Sequence, residues 1–320
     1  MAAARVRMER ILVTGAAGFV GRHLAATLRA SFPDAALVLT SAGPRDGIAK
    51  LDVTDAEAVA RMVREVRPDA CIHLAGIATI GAARADPDHA WTVNLGGTLR
   101  VARAILAEAP ACRFVFASSA EVYGRSFRAG TALDETAALA PGNTYAATKA
   151  AADLAIGALA SEGLDAVRLR PFNHTGPGQT ADFVVPAFAR QAARIEAGLQ
   201  EPVMRVGALD PFRDFLDVAD VCAAYAASLT APVPEPGAIF NVASGTPRRI
   251  GDVLEALCRL AGIAPLIENG AALMRPSEIP VACGDAARAH AVLGWRPAIP
   301  WEVTLRSVLD DWRERVRREP

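Results

Sequence analysis

Two side chains capable of acid–base chemistry, Tyr145 and Lys149, stand four positions apart in this 320-residue chain. On a helix, this spacing places the phenol and the ammonium on one face, one turn apart. A neighbouring cation favours the phenolate, so we expect Lys149 to lower the pKa of Tyr145 below its usual value of about 10. A tyrosine tuned in this way exchanges a proton with a carbonyl or an alcohol near neutral pH. The same spacing also arises by accident on solvated helices, so the hypothesis depends on the residues upstream.

A glycine-rich turn lies upstream, where Gly15, Gly18 and Gly21 follow the apolar run Ile11–Val13. This order predicts a strand, a tight turn and the start of a helix. Glycines let the backbone approach a pyrophosphate, and the free N–H groups at the start of the helix attract its charge. The turn therefore predicts a bound dinucleotide.

The second predicted strand carries the residues that would select the dinucleotide. It ends in Thr40 and Ser41 without a carboxylate, and Arg45 follows. An acidic residue at this place would bind the ribose 2′-hydroxyl of NAD, whereas an arginine accommodates the 2′-phosphate of NADP. The sequence favours NADP(H) and leaves NAD(H) possible. Asp52 and Val53 follow a third strand-like stretch and are candidates to contact the adenine.

Short β-branched runs alternate with alanine-rich segments from residue 10 to about residue 170. This alternation predicts an α/β fold with a doubly wound parallel sheet of the Rossmann type, followed by a smaller C-terminal α/β substrate domain. We assign residues 1–172 to the dinucleotide-binding domain, to which the chain returns at about 209–243, and residues 173–208 and 244–320 to the second domain. The predicted strands are Arg10–Thr14, Ala36–Thr40, Ala70–Leu74, Arg113–Ala117 and Asp165–Arg170. Helices are predicted to begin near Gly18, Ala56, Pro87 and Asn143, and Pro171–Asp182 is predicted to be a loop.

Composition narrows the class of protein further. The 34 Lys and Arg residues nearly cancel the 35 Asp and Glu residues and are interspersed with them, which argues against a nucleic-acid or membrane-surface partner. The five cysteines lack CxxC spacing, so we predict free thiols in a reducing compartment and no metal site. No apolar stretch approaches the roughly 20 residues needed to span a bilayer. A cytoplasmic protein is expected.

Several short motifs occur in a characteristic order along the chain. They are TGxxGFxG at Thr14–Gly21, HLA at His73–Ala75, NxxGT at Asn94–Thr98, SSxxVYG at Ser118–Gly124, YxxxK at Tyr145–Lys149 and RDFxDVxD at Arg213–Asp220. Together they resemble the extended short-chain dehydrogenase/reductase family of nucleotide-sugar epimerases, dehydratases and reductases. The resemblance covers essentially the whole chain.

The resemblance implies a third catalytic residue, Ser119, whose hydroxyl would hold the substrate oxygen that Tyr145 protonates. It also implies that Lys149 contacts the nicotinamide ribose. The cofactor contacts expected from the turn, the strand ends and the motifs are Gly15, Ala17, Gly18, Phe19, Val20, Thr40, Ser41, Arg45, Asp52, Val53, Leu74, Ala75, Gly76, Asn94, Tyr145, Lys149, Pro171 and Phe172.

Dehydratases of this family carry a proton-transferring pair directly after the catalytic hydroxyl residue, where this chain has Ala120 and Glu121. Alanine cannot protonate a leaving hydroxyl, so dehydration is disfavoured. The segments 170–179 and 275–281 resemble instead the branch of the family that reduces the 4-keto group of GDP-4-keto-6-deoxy-D-mannose. That reaction gives a GDP-rhamnose or its talose epimer, and the partner is then a GDP-sugar.

Two arginines, Arg213 and Arg275, are candidates to clamp the diphosphate of such a substrate, because a planar guanidinium matches phosphate oxygens well. Glu278 is a candidate to accept hydrogen bonds from ribose hydroxyls. The full set of expected substrate contacts is Ser119, Glu121, Asn173, His174, Val184, Val185, Arg190, Arg213, Arg275 and Glu278.

Two alternatives stay open. A nucleotide-sugar 4-epimerase with tightly bound NAD uses the same catalytic residues and needs no added cofactor. A non-catalytic NADP-sensing protein shares the fold, but such proteins usually lack the tyrosine or the lysine. A homodimer is also expected, because the alanine-rich helix after Asn143 permits close packing and the resemblance implies an interface formed with the helix that bears Asn94.

Overall fold

A seven-stranded parallel sheet lies at the centre of the structure, a computed structural model that describes residues 8–43, 45–270 and 279–319. The strands of the chain are β1 (Arg10–Thr14), β2 (Ala36–Ser41), β3 (Ala49–Lys50), β4 (Ala70–His73), β5 (Arg113–Ala117), β6 (Ala166–Pro171), β7 (Asn173–Thr175), β8 (Val203–Val206), β9 (Phe212–Asp217), β10 (Ala238–Val242), β11 (Pro247–Arg249), β12 (Leu266–Asn269) and β13 (Val281–Ala282). The central sheet has the order β10-β6-β5-β4-β1-β2-β3.

Helices cover both faces of this sheet. They are α1 (Phe19–Ser31), α2 (Ala56–Val66), α3 (Ile80–Ala85), α4 (Pro87–Trp91), α5 (Thr98–Glu108), α6 (Thr144–Ser161), α7 (Val184–Glu196), α8 (Val218–Thr230), α9 (Ile250–Ala261), α10 (Ala287–Leu293) and α11 (Trp301–Val316). A π-helical turn, Thr92–Gly97, joins α4 to α5, and a kinked 3₁₀ segment, Ala120–Ala129, follows β5. Of the helices in the described ranges, none combines the length and apolarity that a membrane span requires.

The first strand shows why this sheet is buried on both faces. Ile11 and Val13 belong to one apolar cluster, whereas Leu12 between them belongs to a second cluster on the opposite face. Successive side chains of a strand point to opposite faces, so an uninterrupted apolar run serves both layers of helices. A third cluster lies between α7, α9 and α11 in the C-terminal part.

The strand order reverses between β1 and β4. The glycine turn follows the carboxyl end of β1 and lies against the residues that follow β4. From β1 the chain moves outward through β2 and β3, and after β4 it moves the other way through β5 and β6. Ligands of doubly wound sheets bind in the crevice at such a reversal. The topology therefore places the crevice beside Thr14 and His73, the paired last residues of the two strands.

The predicted α/β fold is confirmed, and the five predicted strands lie within one residue of β1, β2, β4, β5 and β6. The helices α1, α2, α4 and α6 also begin within one residue of the predicted starts. The prediction of a loop over Pro171–Asp182 is wrong in part, because β7 lies inside it. This three-residue strand pairs in parallel with β9, Asn173 lying opposite Phe215. It joins a small sheet with β11 and β13 beside the C-terminal cluster.

Candidate active site

The glycine turn lies directly against the end of β4. Gly15 has a φ of 73°, and a Cβ at this position would lie 2.6 Å from the backbone nitrogen of Ala75. The Gly18 N–H donates to the Gly15 carbonyl at 3.0 Å, and α1 begins at Phe19. The predicted cofactor residues of the turn and of the segment Leu74–Gly76 are thereby brought together on one side of the crevice.

Of the residues at and after the end of β2 that were predicted to bind the ribose 2′-phosphate, Thr40 has a different role. Thr40 is fully buried, its hydroxyl donates to the Val13 carbonyl at 3.2 Å, and its own carbonyl accepts from the Ala16 N–H. Thr40 therefore holds the turn, and its hydroxyl is not directed at a phosphate. Ser41 donates to the Gly43 carbonyl at 2.6 Å, and Arg45 is exposed. The 2′-phosphate prediction consequently depends on these last two residues.

Two further predicted cofactor residues have structural partners. Asp52 accepts from the Thr54 N–H at 2.8 Å and from the Thr54 hydroxyl at 2.7 Å, and these bonds lower the pKa of the Asp52 carboxyl. Val53 is buried against Gly97 of the π-helical turn. A Cβ added at Gly97 would lie 2.6 Å from Cγ2 of Val53. Both residues follow β3, and Val53 packs in the apolar cluster that includes side chains of the π-helical turn that carries Asn94.

Asn94 is fully buried, and both N–H groups of its side-chain amide donate within the protein. Its Nδ2 donates to the Ile77 carbonyl at 3.2 Å and to the Thr148 hydroxyl at 2.9 Å, while its Oδ1 accepts from the Ile77 N–H at 2.7 Å. Asn94 thus fixes the loop after Gly76 to the helix that carries Lys149. The contact between Asn94 and a cofactor that the sequence predicts stays a prediction, and the second lone pair of Oδ1 is the atom site through which it would form.

The three predicted catalytic residues meet where β5 ends and α6 begins. Asn143 caps α6 by accepting from the Ala146 N–H at 2.9 Å, which sets the first turn that carries Tyr145. Ser119 follows β5 and forms a hydrogen bond with the Tyr145 hydroxyl. The Nζ of Lys149 donates to the Ala117 carbonyl at 2.8 Å.

The prediction that Lys149 lowers the pKa of Tyr145 is wrong for this structure. Burial raises the pKa of Tyr145 to about 12, although the hydrogen bond with Ser119 opposes this change and the charge of Glu121 adds to it. The ammonium of Lys149 is buried as well, and burial lowers its pKa to about 8 against the opposing effect of Asp153. Loss of hydration is therefore the largest cause of both pKa changes. Tyr145 is protonated at neutral pH.

Glu121 and Arg213 face each other beside the tyrosine. Burial raises the pKa of the Glu121 carboxyl, and the opposing influences are the charge of Arg213 and a hydrogen bond with Asn143. Burial likewise lowers the pKa of Arg213, and Glu121 opposes that change. The guanidinium is oriented by Nη1, which donates to the carbonyls of Phe212 and Ile279 at 2.7 and 3.2 Å.

A cavity of about 760 Å³ opens on the other side of Arg213. Four of the predicted substrate residues line it, namely Asn173, Val184, Arg190 and Arg213. The sequence analysis missed other lining residues, among them Phe183, Asp182, Gln200, Arg194, Arg205 and Phe215. The sequence analysis predicted neither of the strands β8 and β9 that close the cavity.

Several predicted residues do not line this cavity. Val185 is 1% exposed and packs in the C-terminal apolar cluster, because α7 turns it away from Val184. His174, on β7, makes a 2.8 Å hydrogen bond to the Phe172 carbonyl and stacks on Phe19, which places its ring beside the start of α1. Burial lowers the pKa of His174.

Pro171 ends β6, and the N–H of the next residue, Phe172, donates to the Val242 carbonyl. The Phe19 ring that contacts His174 begins α1, and the Ala17 carbonyl just before it accepts from Arg22 at 3.3 Å. Val20 follows on the same helix. Arg275 and Glu278 lie outside the described residues.

The fold, the glycine turn and the Ser–Tyr–Lys arrangement define a nucleotide-dependent α/β enzyme class, and comparison with known proteins gives its family. The chain belongs to the NAD dependent epimerase/dehydratase family, whose model matches residues 11–243. It is 38% identical over 312 residues to GDP-6-deoxy-D-mannose reductase of Pseudomonas aeruginosa, covering 97% of this chain and 99% of that one.

Solved structures agree with this placement. The structure of RMD from Pseudomonas aeruginosa complexed with NADPH superposes with a TM-score of 0.86 at 37% identity, covering 96% of this chain and 99% of that one. The UDP-glucose 4-epimerase of Thermus thermophilus in complex with NAD gives a TM-score of 0.80 at 29% identity, covering 95% of this chain and 99% of the other. The family thus includes both reductases and epimerases on this fold.

Proposed function

We propose that this protein is a GDP-4-keto-6-deoxy-D-mannose reductase that uses NADPH, or NADH less readily, and yields GDP-D-rhamnose or the talose epimer. The observation that carries the proposal is the hydrogen bond between Ser119 and Tyr145, with Lys149 on the same helix, beside a cavity lined by arginines. The full-length similarity to GDP-6-deoxy-D-mannose reductase of Pseudomonas aeruginosa supports the same substrate.

The proposed reaction adds hydride to the C4 carbon and a proton to the C4 oxygen. The cofactor supplies the hydride when bound. Tyr145 donates the proton, Ser119 donates a hydrogen bond to the carbonyl oxygen, and the Lys149 ammonium stabilises the tyrosinate that forms. A tyrosine with a pKa of about 12 holds a proton that it can donate, which suits reduction. Epimerisation and oxidation need the ionised tyrosine first.

NADP(H) is the proposed cofactor. The exposed Arg45 and the absence of a carboxylate at the end of β2 support a 2′-phosphate at that corner. The structure of RMD complexed with NADPH supports the same choice. Gly15 lies so close to the backbone of Ala75 that a Cβ there would be 2.6 Å from the Ala75 nitrogen, so this turn requires glycine.

The direct experiment measures the loss of NADPH absorbance on addition of GDP-4-keto-6-deoxy-D-mannose, followed by NMR of the product sugar. We expect oxidation of NADPH in proportion to the substrate added, and none when the substrate is omitted. No oxidation with either NADPH or NADH would contradict the proposal. Purified protein that carries NAD and interconverts hexose epimers without added cofactor would instead establish the 4-epimerase alternative, and binding of NADP(H) without any turnover would support a sensing role.

The guanine base should be distinguished from a pyrimidine in the same cavity. Guanine presents hydrogen-bond donors at N1 and N2, and among the described lining residues Asp182 is the carboxylate that can accept them. Glu196, at the end of α7, is held by Arg313 at 2.7 and 2.9 Å and is not among the residues that line the cavity. Acceptors left unpaired by a pyrimidine cost about 1–3 kcal/mol per group.

We therefore expect GDP to raise the unfolding temperature well above the value with UDP or dTDP at equal concentration. Asp182→Asn should reduce the difference between GDP and UDP, since an amide presents both a donor and an acceptor to the guanine. Equal stabilisation by GDP and UDP would contradict a guanine-specific site. It would leave the base stacked without specific hydrogen bonds.

We also propose a cytoplasmic homodimer that forms through α4 and α6. Trp91 on α4 and Leu154 on α6 are 40% and 61% exposed, and the two helices contact each other. Covering these side chains with a second copy removes apolar surface from water. Light scattering should give the mass of two chains at micromolar concentration, and the mass of one chain would contradict the proposal.

A further inference from the structure

A buried carboxylate, Asp153, lies on α6 one turn beyond Lys149. It is completely shielded from solvent and both of its oxygens are occupied. Oδ2 accepts from the Ser118 hydroxyl at 2.6 Å and from Arg170 Nε at 3.0 Å. Oδ1 accepts from Arg170 Nη2 at 2.9 Å and from Arg168 Nη1 at 3.1 Å.

These contacts join the elements that carry the candidate catalytic residues. Ser118 is the residue before Ser119 and directly follows β5, whereas Arg168 and Arg170 belong to the neighbouring strand β6. Asp153 itself is on α6 with Tyr145 and Lys149. One carboxylate thus fixes the relative position of the strand end that bears the serine and the helix that bears the tyrosine and the lysine.

The arrangement continues on the far side of Arg170. Its Nη1 donates to the Tyr123 hydroxyl at 3.0 Å, and that hydroxyl donates to Asn241 Oδ1 at 2.7 Å. Tyr123 belongs to the 3₁₀ segment after Ser119, and Asn241 belongs to β10. The segment that follows the catalytic serine is therefore held at two points, Ser118 and Tyr123, by groups connected through Asp153 and Arg170.

The charges around Asp153 are unequal. Three cations, Arg168, Arg170 and Lys149, surround one buried carboxylate. Removing one partner from a buried ionic network leaves charge without compensation, whereas a satisfied network specifies one arrangement. Burial lowers the pKa of Lys149, and the negative charge of Asp153 opposes that change.

We propose that Asp153 is a positioning residue for the reaction, which acts through Ser118 on the orientation of Ser119 and through its charge on the ammonium of Lys149. The inference rests on the proposed function for its catalytic consequence. The ionisation of Lys149 can be tested without any substrate. Asp153 contacts neither the cavity nor the tyrosine hydroxyl in the described structure.

The orientation effect is tested with Ser118→Ala, which removes the 2.6 Å hydrogen bond and leaves every charge in place. We expect kcat to fall about tenfold or more, with the dissociation constant of NADPH, measured by its fluorescence, changed by less than about twofold, because catalysis depends on sub-ångström orientation. The matched control is Ser126→Ala, which removes a hydroxyl that donates to the Ala138 carbonyl at the surface. Wild-type turnover in Ser118→Ala would overturn this part of the proposal.

The charge effect is tested by direct titration of Lys149. Lys50 and Lys149 are the two lysines of the chain, so protein labelled with ¹³C-lysine gives one signal from each in NMR spectra. Lys50 is exposed and serves as the internal standard. The groups that face Lys149 are Asp153 on α6, His73 on β4, and the Ala117 carbonyl and the Phe116 ring on β5; Tyr145 stands one turn before it on α6.

In the wild type we expect Lys149 to titrate near its pKa of about 8. In Asp153→Asn the ammonium keeps its burial but loses the negative charge, so its midpoint should fall by about one pH unit or more. Activity should then decline at a lower pH on the alkaline side, because the protonated lysine is the competent form. Asp165→Asn is the matched control, since Asp165 pairs with Arg113 at the opposite end of β5 and β6.

An unchanged Lys149 midpoint in Asp153→Asn would overturn the charge effect. If that variant does not fold, turnover in Ser118→Ala decides the proposal. An inactive wild type would contradict the proposed function, while the lysine titration would still support or overturn the role of Asp153. The two failures are therefore distinguishable.

Discussion

Tyr145→Phe should lower kcat by about a hundredfold or more while NADPH binding is retained, because the substitution removes only the proton donor. The ring still fills its place on the first turn of α6, and Lys149 keeps its hydrogen bond to the Ala117 carbonyl. Pre-steady-state mixing of enzyme, NADPH and substrate should show that the loss lies in the chemical step. Fluorescence of bound NADPH measures cofactor affinity in the same variant.

Tyr225→Phe is the matched control for this substitution. Tyr225 is a buried tyrosine of α8, 2% exposed, with no place in the proposed proton transfer. Its turnover should stay close to that of the wild type. If Tyr145→Phe also keeps wild-type turnover, then a different group protonates the C4 oxygen and the proposed mechanism is wrong. Glu121, buried next to the tyrosine, would be the first alternative donor to examine.

The sequence was sufficient for five of the seven strands of the central sheet, because the signals of these strands are local. The run Ile11–Val13 is apolar at every position, and this is what a strand buried on both faces requires. The strand β7 was not predictable in the same way. It has three residues, and its pairing with β9 joins Asn173 to Phe215, more than forty positions later. No periodicity can be detected over so short a segment.

The candidate catalytic residues were predictable as a set, but their ionisation was not. Spacing places Tyr145 and Lys149 on one face of a helix, and motif order adds Ser119. The pKa of Tyr145 depends instead on how completely the surrounding elements exclude water, and burial raises it to about 12. Tertiary packing also decides between Val184 and Val185, which were both expected to contact the substrate. Val184 lines the cavity, whereas Val185 is buried in the C-terminal apolar cluster.

The sequence indicates that Asp153 has a specific role but does not identify its partners. A single acidic residue in the alanine-rich stretch 146–160, four positions after Lys149, indicates a specific partner. Its partners Arg168 and Arg170 come from β6, and their side of the strand becomes known only when the helix is placed on the sheet. Buried polar networks of this kind depend on tertiary packing.

The second large effect is expected at the glycine turn. Gly15→Ala should lower the free energy of unfolding by about 2–4 kcal/mol, combining a left-handed backbone cost of about 1–2 kcal/mol with an overpacking cost of similar size. The φ of 73° disfavours any side chain, and the new Cβ would lie 2.6 Å from the Ala75 nitrogen, an atom of the backbone that cannot rotate away. Chemical denaturation measures the change in stability.

Gly262→Ala separates the two causes. Gly262 ends α9 with a φ of 66°, but nothing lies within 4 Å of the position of its Cβ. This variant should lose about 1 kcal/mol, the backbone cost alone, and bind NADPH as the wild type does. In Gly15→Ala the turn must move away from Leu74–Gly76, so NADPH affinity should also fall by about tenfold or more, since the backbone N–H groups no longer meet the pyrophosphate. Equal losses of stability in the two variants, with NADPH binding intact in both, would show that the close approach of β1 and β4 does not form the cofactor site.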